Sequence, residues 1–169
     1  MLSTRSQGFS STTLEPFMRA ALAEAKRAEA AGEVPIGATV VVDGKIVGAG
    51  FNQQIATHDA TAHAEIVALR AAGLVCGNYR LTGASLYVTV EPCLMCVGAL
   101  VHARIDTLVY GAAEPKAGAV QSMCRSLEHP SLNHKVVAVS GVLESECKAI
   151  LQGFFQRRRE VSAYTMHLE

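Results

Sequence analysis

The chain has 169 residues and a mass of 17.9 kDa, which suits one domain with a sizeable core and leaves no room for two full domains. Hydrophobic residues make up 50% and charged residues 18%, a balance that excludes disorder except at the ends. Lys+Arg 15 equal Asp+Glu 15, so bulk charge cannot coat a nucleic acid, although a local basic patch is compatible with this balance.

Every 18-residue window carries a charge, and residues 1–13 are Ser/Thr-rich without an apolar core. Neither a membrane span nor a secretory signal is expected, and a cytoplasmic location follows, with residues 1–13 as a flexible tail before a single domain over 14–169. A first helix is expected after Thr13 as N-cap, with Pro16 in its first turn, an Ala-rich face (Phe17, Ala21, Leu22, Ala25, Ala28) and a stop at Gly32. Ala38 to Val42 and Lys45 to Ala49 read as antiparallel strands joined through Asp43-Gly44, a dipeptide that tolerates a tight hairpin turn. Thr61 to Ala72 has helical spacing and ends at Gly73. Ser85 to Val90, Cys93 to His102 and Thr107 to Tyr110 read as strand, helix and strand, a crossover that forces parallel pairing. Val136 to Val139 is a shorter strand, and Leu143 to about Tyr164 a long final helix with Cys147, Ile150, Leu151 and Phe154 inward. The result is an α/β layered domain.

Five cysteines, an odd number, without an export signal favour metal binding or catalysis over a disulfide framework. Cys93 and Cys96 are three apart at the start of one helix, where the positive end of the dipole favours thiolates. His63 opens another helix, with Glu65 two residues on. His63, Cys93 and Cys96 offer zinc one nitrogen and two sulfurs and leave the fourth tetrahedral position for water. Glu65 is then the proton shuttle of a hydrolysis. A lone Cys-x-x-Cys equally marks a redox pair or half a structural zinc knuckle, and a lone His at a helix start is usually structural. His-x-Glu followed, 28 positions after Glu65, by Pro-Cys-x-x-Cys matches the pattern of zinc deaminases acting on bases. Cys76, Cys124 and Cys147 lack paired spacing and read as small buried hydrophobes.

Over about Leu14 to Arg159 the chain resembles the bacterial tRNA-specific adenosine deaminases. Besides the zinc motifs, the resemblance rests on Glu33 to Ala38, Thr61 to Ile66, Asn78 to Leu81, Tyr87 to Cys93, Asn133-His134 and Phe154-Phe155. It implies a three-layer α/β/α cytidine-deaminase-like fold with a five-stranded mixed sheet, one zinc ion per subunit and a homodimer. The implied reaction is hydrolytic attack at C6 of the wobble adenosine in a tRNA anticodon stem-loop, with Glu65 carrying protons to N1 and the departing amine, giving inosine. The resemblance further places Asn52 and the Ala64 backbone amide on the base and Ile36 and His63 on its two faces. Glu114, Lys116 and Ala117 fall near the ribose and backbone, and Asn133, His134, Phe154 and Arg158 on further RNA-facing surface. Arg157, Arg158 and Arg159 form a cation cluster suited to phosphates or to a solvated helix end. Glu114 departs from the family's usual Asp, and Ala60 from its frequent Pro, which would leave the loop before His63 freer. The alternative is a deaminase of a free base or nucleoside, such as guanine or cytosine. A non-catalytic zinc protein would have no use for Glu65.

Overall fold

The computed structural model describes residues 11–166. Helix α1 (Ser11–Ala30) leads into strands β1 (Gly37–Val42) and β2 (Lys45–Phe51), and a short helix α2 (Gln54–Thr57) precedes α3 (Ala64–Cys76). Then follow β3 (Ser85–Val90), α4 (Leu94–His102), β4 (Thr107–Ala112), a 3-10 turn at Ser126–Glu128, β5 (Val137–Val139) and α5 (Glu144–Met166). Residues 1–10 of the expected tail lie outside the described residues, and residues 11–13 are helical. The earlier start places Pro16 inside α1 rather than in its first turn. Helix α3 runs through Gly73 and stops only at Gly77, whose φ of 62° is the left-handed conformation that closes a helix.

The strands form one sheet in the order β2-β1-β3-β4-β5, which contains the expected hairpin and the expected parallel crossover pair. β1 pairs antiparallel with both β2 and β3, and β3–β4 and β4–β5 are parallel. Asp43 and Gly44 both take positive φ, 48° and 73°, the backbone of a two-residue turn whose twist suits a hairpin. Along β3, Leu86 and Val88 pack on one side with α3 and α4, while Tyr87 packs on the other with α1 and Cys147 of α5. Helices therefore cover both faces, giving the three-layer α/β/α arrangement.

Helix α3 lies very close to β2. A Cβ added at Gly48 would stand 2.4 Å from the Ala68 carbonyl oxygen and 2.6 Å from the Ala72 nitrogen, and the small buried Ala64, Ala68 and Ala72 make the same approach possible from the helix side. Backbone cannot yield as a flexible side chain does, so Gly48→Ala is expected to cost about 3 kcal/mol, at the upper end of overpacking. A thermal melt should show a fall on the order of 10 °C for a domain of this size.

The same register gathers one end of the sheet. Gly37 pairs with Phe51 and Ala38 with Val88, so Ile36 before β1, Asn52 after β2 and the exit of β3 sit side by side. This is also where the strands change from antiparallel to parallel.

Candidate active site

Each half of the donor set is a helix N-cap. His63 precedes α3 in extended backbone, φ −70° and ψ 152°, and Cys93 precedes α4 with φ −76° and ψ 172°. Cys96, one turn into α4, is buried, and Leu94 and Met95 between the two cysteines face outward. The first backbone N–H groups of a helix lack intrahelical partners, which biases both ends toward anionic ligands.

His63 Nδ1 lies 3.7 Å from Cys93 Sγ and 3.6 Å from Cys96 Sγ, and all three donor atoms fall within 4.8 Å of one another. Tetrahedral zinc, with bonds of about 2.0–2.1 Å to nitrogen and about 2.3 Å to sulfur, requires roughly 3.6 Å between those atoms. The residues fit the ion with side chains where they stand. Hydrogen bonds donated by Cys96 and by His63 hold the Cys93 thiol down to about 4, whereas the bond to Cys93 together with burial pushes Cys96 upward. One sulfur of the pair is thus anionic at neutral pH, the form that ligates metals.

Glu65, two residues into the same helix entrance, is 4% exposed, and burial pushes its carboxyl up to about 7 against the opposing pull of His63. A carboxyl poised near neutrality can both take and give a proton.

Asn52 is buried, and its Oδ1 accepts the Ala64 N–H at 2.9 Å. It therefore supplies, from just after β2, a cap that His63 does not give α3. The bond engages the Ala64 amide that the resemblance placed on the base. Asp59 Oδ1 accepts both the backbone N–H and the hydroxyl of Thr61, at 2.8 and 2.7 Å, so the loop before His63 is pinned despite Ala60.

Beyond the donors, Glu114 Oε1 accepts the Lys116 N–H at 2.9 Å, shaping a loop on which Lys116 is exposed. That loop meets the zinc motif through a bridge between Cys93 and Gly118 and a 2.8 Å bond from the Ala119 N–H to the Pro92 carbonyl. Asn133 and His134 are held at the far end of α4, roughly 14 Å along the helix from Cys93. There Arg104 donates to Asn133 at 2.7 Å, and His134 Nε2 sits 2.7 Å from the Ile105 carbonyl. Phe154 is buried on α5 with the Arg158 guanidinium over its ring at 5.3 Å, and Arg157 pairs with Glu29 of α1.

Two of the three remaining cysteines depart from the sequence expectation. Cys147 is fully buried, but Cys76 and Cys124 are exposed. Cys76 continues the Ala64, Ala68, Ala72 stripe, yet it falls in the last turn of α3, where Leu74 and Val75 are exposed as well. Two buried acids were also missed. Glu33 accepts the Ala56 N–H at 2.8 Å and so holds α2, and Glu91 gathers donors from the loop after β4. For Glu91, burial alone would raise the carboxyl, but the Ser122 hydroxyl and the backbone N–H groups of Gln121, Ser122 and Glu114 hold it below the ordinary carboxylate range.

A zinc donor set split between two helix entrances at one end of an α/β/α sheet, with a buried glutamate beside it, defines a zinc-dependent deaminase. Residues 11–112 match the family model of the cytidine and deoxycytidylate deaminase zinc-binding region. The chain is 49% identical over 147 residues to a tRNA-specific adenosine deaminase of Haemophilus influenzae, covering 86% of this chain and 85% of the relative. It is 43% identical over 146 residues to the tRNA-specific adenosine deaminase of Bacillus subtilis, covering 86% and 91%. A solved structure from a study of A-to-I editing by tRNA deaminases at the wobble position matches at a TM-score of 0.79 and 47% identity, over 80% of this chain and 99% of that one. The chain belongs to the tRNA-specific adenosine deaminases.

Proposed function

We propose that this chain deaminates the wobble adenosine of a tRNA anticodon loop to inosine by zinc-dependent hydrolysis. The observation that carries the reading is the donor group His63, Cys93 and Cys96 with Glu65 buried beside it at the same helix entrance. Zinc, when bound, supplies the Lewis acidity that makes water a nucleophile at neutral pH. Glu65 takes the proton that the nucleophile loses and delivers it to the ring nitrogen, then carries the second proton of the attacking water from the new hydroxyl to the amine, so that ammonia leaves as the C–N bond breaks and the carbonyl forms, a task that its near-neutral carboxyl suits. The Asn52 NH₂ orients the base, and Ile36 and the His63 ring flank it.

An anticodon loop presents unstacked bases that can turn into such a pocket at low cost. Exposed Lys116 beside the zinc motif supplies the phosphate contact nearest the chemistry. Asn133, His134, Phe154 and Arg158 stand further off, where a longer stretch of RNA would reach. A cytoplasmic location goes with that substrate, and no helix among the described residues is long and apolar enough to cross a membrane.

The reading includes a homodimer. An apolar groove of about 880 Å³ runs between α3 and α4, lined by Ile66, Leu69, Leu74, Tyr79 and Ala99 among others, with Leu74 and Tyr79 largely exposed. A second copy seated there would cover this surface directly behind the zinc helices. Light scattering on the eluted protein giving a monomer would remove the dimer.

The substrate is tested by incubating the zinc-loaded protein with an anticodon stem-loop carrying a wobble adenosine, alongside free guanine, cytosine, adenosine and cytidine, with products read by mass spectrometry. Inosine in the stem-loop alone is the expected result. Deamination of a free base with the RNA untouched would keep the zinc chemistry and overturn the substrate.

A further inference from the structure

Glu91 directly follows β3, two residues before Cys93, and is 3% exposed. Its Oε1 accepts the backbone N–H groups of Val120, Gln121 and Ser122 at 3.1, 2.8 and 2.9 Å. Its Oε2 accepts the Glu114 N–H at 3.1 Å and the Ser122 hydroxyl. Five donors from one distant loop converge on one buried carboxylate, which meets its need for solvation without a cation.

The loop is shaped to receive it. A Cβ at Gly118 would stand 2.4 Å from the carboxylate, and the Gly118 N–H closes back on the Glu114 carbonyl at 2.8 Å. The chain around Gly118 and Ala119 then bonds to Cys93 and Pro92. Lys116 lies inside this closed segment and is exposed at its tip.

We propose that Glu91 is a positioning residue, whose carboxylate locks the 114–122 loop to the zinc-ligand turn so that Lys116 meets the RNA strand at a fixed distance from the reacting base. The proposal rests on the tRNA reading above for its kinetic consequence but not for its structural one. Glutamine in place of Glu91 turns an NH₂ toward backbone N–H donors, so the Glu114 bond is lost if the NH₂ replaces Oε2, the Ser122 hydroxyl then accepting instead of donating, and three bonds are lost if it replaces Oε1; either way the loop is loosened.

The experiment compares Glu91→Gln with the parent protein, zinc-loaded, by three readouts. Zinc per chain is expected to hold, amide exchange at Val120, Gln121 and Ser122 to quicken roughly tenfold or more, and KM for the stem-loop to rise roughly tenfold with kcat changed far less. Faster exchange across the whole sheet, with zinc loss and a matching fall in kcat, would overturn the proposal in favour of a general packing role. Unchanged exchange in 120–122 would overturn it outright. If Glu91→Gln does not fold, Ser122→Ala removes one donor and should reproduce the local exchange and KM effects at smaller size. Its silence in both would equally overturn the proposal. Because exchange and zinc content need no RNA, a failure of the tRNA assignment leaves the anchoring claim separately testable.

Discussion

Replacing Glu65 with glutamine is expected to cut deamination of the stem-loop by about 10²–10⁴-fold, the usual worth of a positioned proton carrier, with zinc per chain and melting temperature nearly unchanged. The fall corresponds to about 3–5 kcal/mol of barrier. Glutamine keeps the volume of a side chain that is 4% exposed, so the entrance of α3 stays packed and the His63 donor stays in place. What disappears is a group able to change protonation at working pH. The Glu65 carboxyl sits near 7 because burial disfavours its anion, whereas an amide neither takes nor gives a proton there. Single-turnover measurement with excess enzyme isolates the chemical step from product release, and zinc is counted on the same sample. An unchanged rate with full zinc would show that Glu65 serves the fold alone.

Much of this architecture is legible because it follows from local chemistry. Asp43-Gly44 dictates a hairpin, and the strand-helix-strand run from Ser85 to Tyr110 dictates parallel pairing, so two of the four strand pairings follow from local sequence. The zinc donors are legible for a different reason: their residue types are rare and their spacing puts each on the first turn of a helix. The carboxylates of Glu33 and Glu91 left no such trace. Their partners lie 23 to 31 positions away and, the Ser122 hydroxyl apart, are backbone N–H groups, which every residue but proline carries, so residue type scarcely marks them. The two misjudged cysteines show the limit of periodicity. Spacing puts Cys76 on the buried stripe of α3, but only the length of α3 relative to the sheet decides whether that turn has anything to pack against. Likewise, the apolar groove between α3 and α4 reads in sequence as ordinary core, since Leu69 and Ala99 have the spacing of core residues and nothing local says that no further element among the described residues covers them.

Removing the metal should abolish turnover and raise the number of rapidly reacting thiols from two to three. With zinc in place, the exposed Cys76 and Cys124 are open to a thiol reagent, while Cys93 and Cys96 are engaged. Cys147 is silent throughout, because it is fully buried and burial pushes its thiol up to about 12. After chelation, Cys93 becomes the third reactive thiol. It is half-buried and held as a thiolate near 4 by its bonds to Cys96 and His63, whereas Cys96 is enclosed and driven the other way. Stability should fall in the same experiment, because one ion ties the entrance of α3 to that of α4. At a metal concentration of 1,000 times the dissociation constant that linkage is worth about 4 kcal/mol, a fall on the order of 10 °C for a chain of this length. Restoring zinc should recover activity, melting temperature and the count of two together. Two reactive thiols before and after chelation, with activity retained, would mean that His63, Cys93 and Cys96 do not hold the ion.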